Sequence, residues 1–233
     1  MKERNVEEGR KSFAFRAARV VVKILYHRPK FIFLDGDGFI DGPSIFIVNH
    51  SGSHTPTRVE CYFPRDLYMW GTHEMTEGLK AVHHYLIHIY YHQKKHFKMF
   101  WARIIGTIFC PFANAFYKGM RIIPTYRDGR LMQTFKETEQ HINKGEILVI
   151  YPEDSSQGYK DEPDKVFNGF LVFAQMMLRK GKDLPIYTAH YQKKGKKFII
   201  DKPRYYSELL KEYGDHDAVA EALRLRMNSL KAD

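Results

Sequence analysis

His50 stands where an apolar strand gives way to a turn, and an imidazole presented there can take up a proton near neutral pH. Ser44-Ile45-Phe46-Ile47-Val48 reads as a short buried strand, because its β-branched and aromatic residues run without interruption. Asn49-His50 ends it, and Ser51-Gly52-Ser53 has the composition of a turn. Thr55-Pro56 reads as a helix start, with Thr as N-cap and Pro at the first helical position. Open α/β sheets place their ligands at the carboxyl ends of strands, so the position suits a general base. It equally suits a strand-end histidine satisfied by a backbone partner. His54 adds a second imidazole able to act as base or ligand.

A second concentration of imidazoles lies in Ala81–Trp101. His84, His88, His92 and His96 recur every four residues, with His83 beside them and Tyr85, Tyr90, Tyr91, Phe97 and Phe100 interleaved. On a helix this is a stripe along one face, and two imidazoles four apart can bind a transition metal. The segment carries no carboxylate or cysteine to complete such a site, which favours a wet or interfacial face and no metal. Cys61 and Cys110 sit in apolar or aromatic surroundings without metal spacing, as structural thiols of a reducing compartment would.

The elements that must position these groups follow from periodicity. Residues 11–26 interleave Phe13, Phe15, Val20, Val21, Val22, Ile24 and Leu25 with Lys11, Arg16, Arg19 and Lys23, and stop at Pro29. A basic, apolar-rich helix of this kind suits the headgroup layer of an anionic membrane, or simple packing with solvated charges. Strands are expected at Phe31–Leu34, Leu67–Gly71, Gly119–Arg127 (ending in a turn that carries Arg127), Glu146–Tyr151, Leu184–Ala189 and Phe198–Ile200. Helices are expected over Pro56–Tyr62, Leu131–Asn143, Phe167–Arg179 and Ser207–Leu230, and a buried or interfacial helix pair over Met99–Tyr117. Strands alternating with helices predict an α/β domain, with a mixed, mostly parallel central sheet flanked by helices and an N-terminal basic amphipathic helix. The expected division is residues 1–30 as a membrane-interface helix and 31–233 as the α/β domain.

Composition bounds the partners. The 233 residues hold 37 Lys+Arg against 27 Asp+Glu, a formal charge of +10 with a pI near 9.4. Such a field attracts an anionic surface or substrate. Nucleic acid is the weakest candidate, since the basic residues are scattered and Lys193–Lys197 is a short turn. The opening residues lack the apolar core of a secretory signal, and no uncharged stretch is long enough to read as a span.

Four blocks taken in order resemble the lysophospholipid (1-acylglycerol-3-phosphate) acyltransferase family. Phe39–His50 is similar to the family's strand into its Asn-His turn, and Ile123-Pro124-Thr125-Tyr126-Arg127 to a block whose arginine contacts the acceptor phosphate. Tyr151-Pro152-Glu153-Asp154-Ser155 falls where the family has Phe-Pro-Glu-Gly-Thr-Arg, and Leu184-Pro185-Ile186-Tyr187-Thr188 resembles its proline-centred strand. The departures are Thr55 where the family has Asp, Asp154 where it has Gly, and Ser156 where it has the phosphate-binding Arg. The interval between His50 and Glu153 is also longer, and the histidine-striped region is the expected insertion.

The resemblance implies transfer of a fatty acyl group from a thioester, acyl-CoA or acyl carrier protein as co-substrate, to a hydroxyl of a lysophospholipid or glycerol-phosphate-like acceptor. It implies phospholipid biosynthesis at the cytoplasmic face of an anionic membrane, with peripheral or monotopic attachment and no further cofactor. His50 would be the base, with Glu153 in the catalytic set and Asp154 supplying the carboxylate that Thr55 does not. Glu60, one helical turn beyond Thr55, is a second candidate whose direction diverges from His50. Arg127, Asn49, Ser155 and Pro152 would bind substrate, and backbone amides of the Pro152–Ser155 turn would face the developing oxyanion or a phosphate. A catalytically silent relative that binds lipid or acyl carrier is the alternative that Thr55 favours.

Overall fold

The computed structural model describes residues 6–231 apart from 35, 37, 39–41, 52, 53, 127, 156 and 157, with backbone only at 54. In chain order the elements are α1 (Val6–Lys11), α2 (Phe13–Leu25), β1 (Lys30–Phe33), β2 (Ser44–Val48), α3 (His54–Tyr62), β3 (Leu67–Thr72) and α4 (Leu79–His84). A π-helical segment (Tyr85–Lys94) follows, then α5 (Met99–Gly119), β4 (Ile122–Thr125), α6 (Leu131–Asn143), β5 (Ile147–Ile150) and α7 (Gly169–Arg179). The chain closes with β6 (Pro185–Gln192), β7 (Lys197–Ile200), β8 (Arg204–Tyr205), α8 (Tyr206–Tyr213) and α9 (His216–Ser229). The fold is α/β, with mixed, mostly parallel sheet flanked by helices, as the alternation of elements predicts. Tertiary contacts divide it into two units.

The larger unit comprises Arg28–Tyr68, Phe135–Asp154 and Tyr159–Asp233. Its strands run in the order β1-β7-β6-β2-β5, with β8 antiparallel to β6. β2 is parallel to both neighbours, Phe46 lying opposite Val149 of β5 and Tyr187 of β6, and every residue of it is buried. A strand covered on both faces needs a continuous apolar run rather than alternation, which is what residues 45–48 supply. The Phe46 and Tyr187 rings stack at 4.3 Å, within 5° of parallel. α7 buries Phe170, Leu171, Phe173, Ala174 and Met177, and Phe135 of α6 meets Phe173 at 5.6 Å.

The smaller unit comprises Met1–His27, Met69–Thr134 and Ser155–Gly158. β3 and β4 pair in parallel from Met69 opposite Ile122 to Thr72 opposite Thr125. Ser12 caps α2 by accepting the Phe15 N–H at 3.1 Å, and Phe15, Ala18 and Val22 form its buried stripe. Phe15 stacks on Phe116 of α5 at 5.7 Å, beside Gly119. A Cβ at Gly119 would lie 2.4 Å from the Phe15 ring, so only glycine admits this approach. The buried face of α5 carries Ala102, Gly106 and Cys110, and Gly106 lies against Ile87.

The structure corrects several boundaries. α3 begins at His54, so Thr55 is in the first turn and not its N-cap. The expected pair over Met99–Tyr117 is one 21-residue helix that contains Pro111. The expected C-terminal helix is two, broken at Gly214, whose φ of 88° ends α8. The histidine-rich stretch is not one α-helix: Lys95 N–H bonds Tyr90 O at 3.1 Å in π fashion, and His96 has φ 57° beyond the helix end.

Candidate active site

In the larger unit Ile47 lies opposite Ile150 and Val48 opposite Ala189, so Asn49-His50 and Tyr151-Pro152 leave the sheet at the same edge. That register brings together residues 103 apart in sequence: the His50 backbone N–H donates to Glu153 Oε2 at 2.9 Å. Glu153 is buried, and its role visible here is to fix the backbone on which the imidazole is carried. The ring itself stacks on Tyr159 at 4.5 Å and 15°, and meets Tyr151 edge-on at 5.0 Å and 68°. An aromatic face carries negative charge density, so Tyr159 favours the imidazolium that forms on proton uptake. Burial, with the Glu60 charge adding to it, pushes the Tyr151 phenol well above its ordinary range, which keeps it a neutral donor. Glu60 itself is buried on α3.

The turn is held from behind by Asn49, which is fully buried. Its side-chain amide donates to Asp161 O at 2.9 Å and Tyr191 O at 3.2 Å, and its Oδ1 accepts the Tyr191 N–H at 2.6 Å. Ser51 continues the clamp, donating its hydroxyl to Asp161 Oδ1 at 2.6 Å and its N–H to Thr55 Oγ1 at 3.2 Å. Lys193 Nζ reaches the same Asp161 oxygen at 2.8 Å. Partial burial works to raise the Asp161 carboxyl, but the bonds from Lys193 and Ser51 outweigh it and hold the group below the usual carboxylate range.

The third block is a short antiparallel ribbon, with Glu153 opposite Val166. Phe167 N–H donates to Pro152 O at 2.7 Å and Asp154 N–H to Lys165 O at 3.0 Å. Pro152 has no N–H, so these two residues drop out of the amides expected to face an oxyanion. Asp154 is half-buried in this ribbon, one residue beyond Glu153. Ser155 belongs to the smaller unit, where its hydroxyl accepts from Lys94 Nζ at 2.9 Å. Arg127, Ser156, the Gly52-Ser53 turn, Phe39–Asp41 of the first block and the His54 side chain lie outside the described residues.

No protein-family model and no curated protein matches this chain. The resemblance therefore stands on the four blocks themselves, of which the first and third meet at His50. Sequence reasoning missed Tyr159, Asp161 and Tyr191 as the partners of the Asn49-His50-Ser51 turn. Nothing in their spacing marks them, although an aromatic so close behind the third block was a usable signal.

The histidine stripe makes a different site. His84, His88 and His92 are exposed in the smaller unit, with the first two rings 4.7 Å apart. Desolvation, then the neighbouring His84, Arg103, His92 and His83, push His88 below its ordinary value. His92 Nδ1–H donates to Phe97 O at 2.8 Å, and His83 Nε2 shares a 2.9 Å bond with Thr107 Oγ1. No group of three or more His, Cys, Asp or Glu able to hold a metal occurs among the described residues.

Proposed function

We propose that this chain transfers a fatty acyl group from an acyl thioester, acyl-CoA or acyl carrier protein, to a hydroxyl of a lysophospholipid or glycerol-phosphate-like acceptor at a membrane surface. The observation that supports the reading is the seating of His50, whose ring lies between Tyr159 and Tyr151 while Glu153 fixes its backbone at the carboxyl end of a central parallel strand. His50 takes the proton from the acceptor hydroxyl as the oxygen attacks the thioester carbonyl. The tetrahedral intermediate collapses, the carbon–sulfur bond breaks, and the imidazolium returns its proton to the leaving thiolate. No acyl-enzyme is required. Asp154 is the carboxylate assigned to orient the imidazolium, and Arg127 the cation assigned to the acceptor's anionic group.

The experiment is acyl transfer from labelled acyl-CoA and acyl carrier protein to a panel of hydroxylated lipid acceptors. Since a positioned base contributes about 10²–10⁴-fold, His50→Ala is expected to lose activity by that factor while keeping its melting temperature. Asp154→Asn is expected to fall with it. One observation favours a second reading: Thr55 Oγ1 is engaged by the Ser51 N–H, as in a turn kept for shape rather than turnover. Wild-type protein that binds the thioester without turnover on any acceptor would establish that silent relative.

A further inference from the structure

The smaller unit carries two helices that are apolar on both sides. In α5 the buried residues Ala102, Gly106 and Cys110 recur every four positions, and so do Phe100, Ile104 and Ile108, two positions out of phase. Two residues on a helix is about 200° of rotation, so the second stripe faces away from the first. That outer stripe is in water: Phe100 and Ile108 are 67% and 69% exposed. α2 repeats the arrangement, with Ala18 and Val22 buried and Val20 and Ile24 turned outward at 58% and 69% exposure. Scattered exposed apolar residues need no explanation, but two ordered stripes in one unit do.

The charges say what covers them. Neither helix contains an acidic residue, whereas α2 carries Arg16, Arg19 and Lys23 and α5 carries Arg103 and Lys118. A second copy of this chain would bring like charge against like, across a protein of net charge +10. An anionic lipid surface matches both the apolar stripes and the long basic side chains beside them. By length and hydropathy α5 is also able to cross a bilayer. Its Ala102–Gly106–Cys110 face, however, is packed on the π-helical segment, which carries the exposed His88 and His92, and crossing would drag those imidazoles into hydrocarbon.

We propose that the outer stripes of α2 and α5 are docking faces for an anionic bilayer, with α5 lying in the headgroup plane rather than crossing it. The inference rests on the lipid acceptor in the proposed function, not on chemistry at His50. Absence of vesicle binding would sink the docking face and leave acyl transfer to a dispersed acceptor untouched.

The test is flotation of the full chain with vesicles of phosphatidylcholine alone or with one-third phosphatidylglycerol. Wild type is expected to float only with the anionic vesicles. Ile24→Glu on α2 and Ile108→Glu on α5, both on exposed positions, are each expected to lower the partition coefficient about tenfold with unchanged circular dichroism. The same loss for Arg16→Glu supports the charge argument. Depth is read from Ile108→Trp, at mid-helix, as the single fluorophore of a chain that also carries Trp70→Phe and Trp101→Phe, using lipids brominated near the headgroup or near the chain end. Stronger quenching by the shallow bromines is expected. Stronger quenching by the deep ones means that α5 spans, and overturns the proposal. So does equal flotation with neutral vesicles, a loss confined to one helix, or charge-independent self-association as the only behaviour of the apolar faces.

Discussion

The Tyr159 ring lies parallel to the His50 imidazole at 4.5 Å, in a loop that no local pattern ties to the strand carrying the histidine. Such a pair contributes about 0.5–1.5 kcal/mol beyond burial, or roughly 2–10-fold in rate where it acts on the charged form. Tyr159→Phe keeps the stack and is expected to retain near wild-type kcat/KM in the acyl-transfer assay. Tyr159→Ala is expected to lose roughly 2–10-fold. An unchanged kcat/KM in Tyr159→Ala would show the stack to be packing alone.

Asn49 spends its amide on the backbone of Asp161 and Tyr191. Leaving a buried backbone group unsatisfied costs about 1–3 kcal/mol, so Asn49→Ala is expected to destabilise the larger unit by about 3 kcal/mol in chemical denaturation. Asn49→Asp keeps an acceptor for the Tyr191 N–H but sets a carboxylate against two carbonyl oxygens, and should not rescue. Wild-type stability in both variants would refute the clamp.

His190, buried on β6, is held below the ordinary histidine value of 6.5 first by desolvation. Glu162 and Asp161 pull it the other way, while Lys231 adds to the depression. A group whose folded pKa is depressed contributes stability above its unfolded pKa and loses it as pH falls through the folded value. Wild type is therefore expected to lose stability as pH drops from 7.5 toward 5, and His190→Gln to show a flatter dependence. Urea midpoints at the two pH values measure the difference, and parallel curves would count against it.

At Gly119 an added Cβ would meet the Phe15 ring at 2.4 Å. Overpacking of this kind costs about 1–3 kcal/mol, so Gly119→Ala is expected to loosen α2 from α5 and speed proteolysis between them. Phe15→Leu in the same chain, by shrinking the obstacle, should recover part of the loss. Strictly additive losses would show that the close approach is not the cause.

Much of the fold was legible in composition and period. β2 and α6 occur at their expected residues, because a continuous apolar run bounded by turn residues and an amphipathic helix stopped at Gly145 are both local statements. Boundaries shifted where packing overrode local preference. The π-helical turn after His84 and the left-handed His96 break a regular four-residue spacing that a straight helix would have carried through. Thr55 reads as a cap, yet its hydroxyl accepts the Ser51 N–H from inside the first turn.

At the site the same division holds. The chain's order of residues was enough to set a histidine at the end of a buried strand, and to make α2 and α5 basic and apolar, since both depend on neighbours a few positions apart. Which carboxylate holds the histidine backbone, which ring lies on the imidazole and which carbonyls grip Asn49 were decided only when parallel pairing aligned β2 with β5 and β6. Those partners lie more than a hundred residues away along the chain. Their approach follows from the register of the sheet, a property that no window along the chain contains.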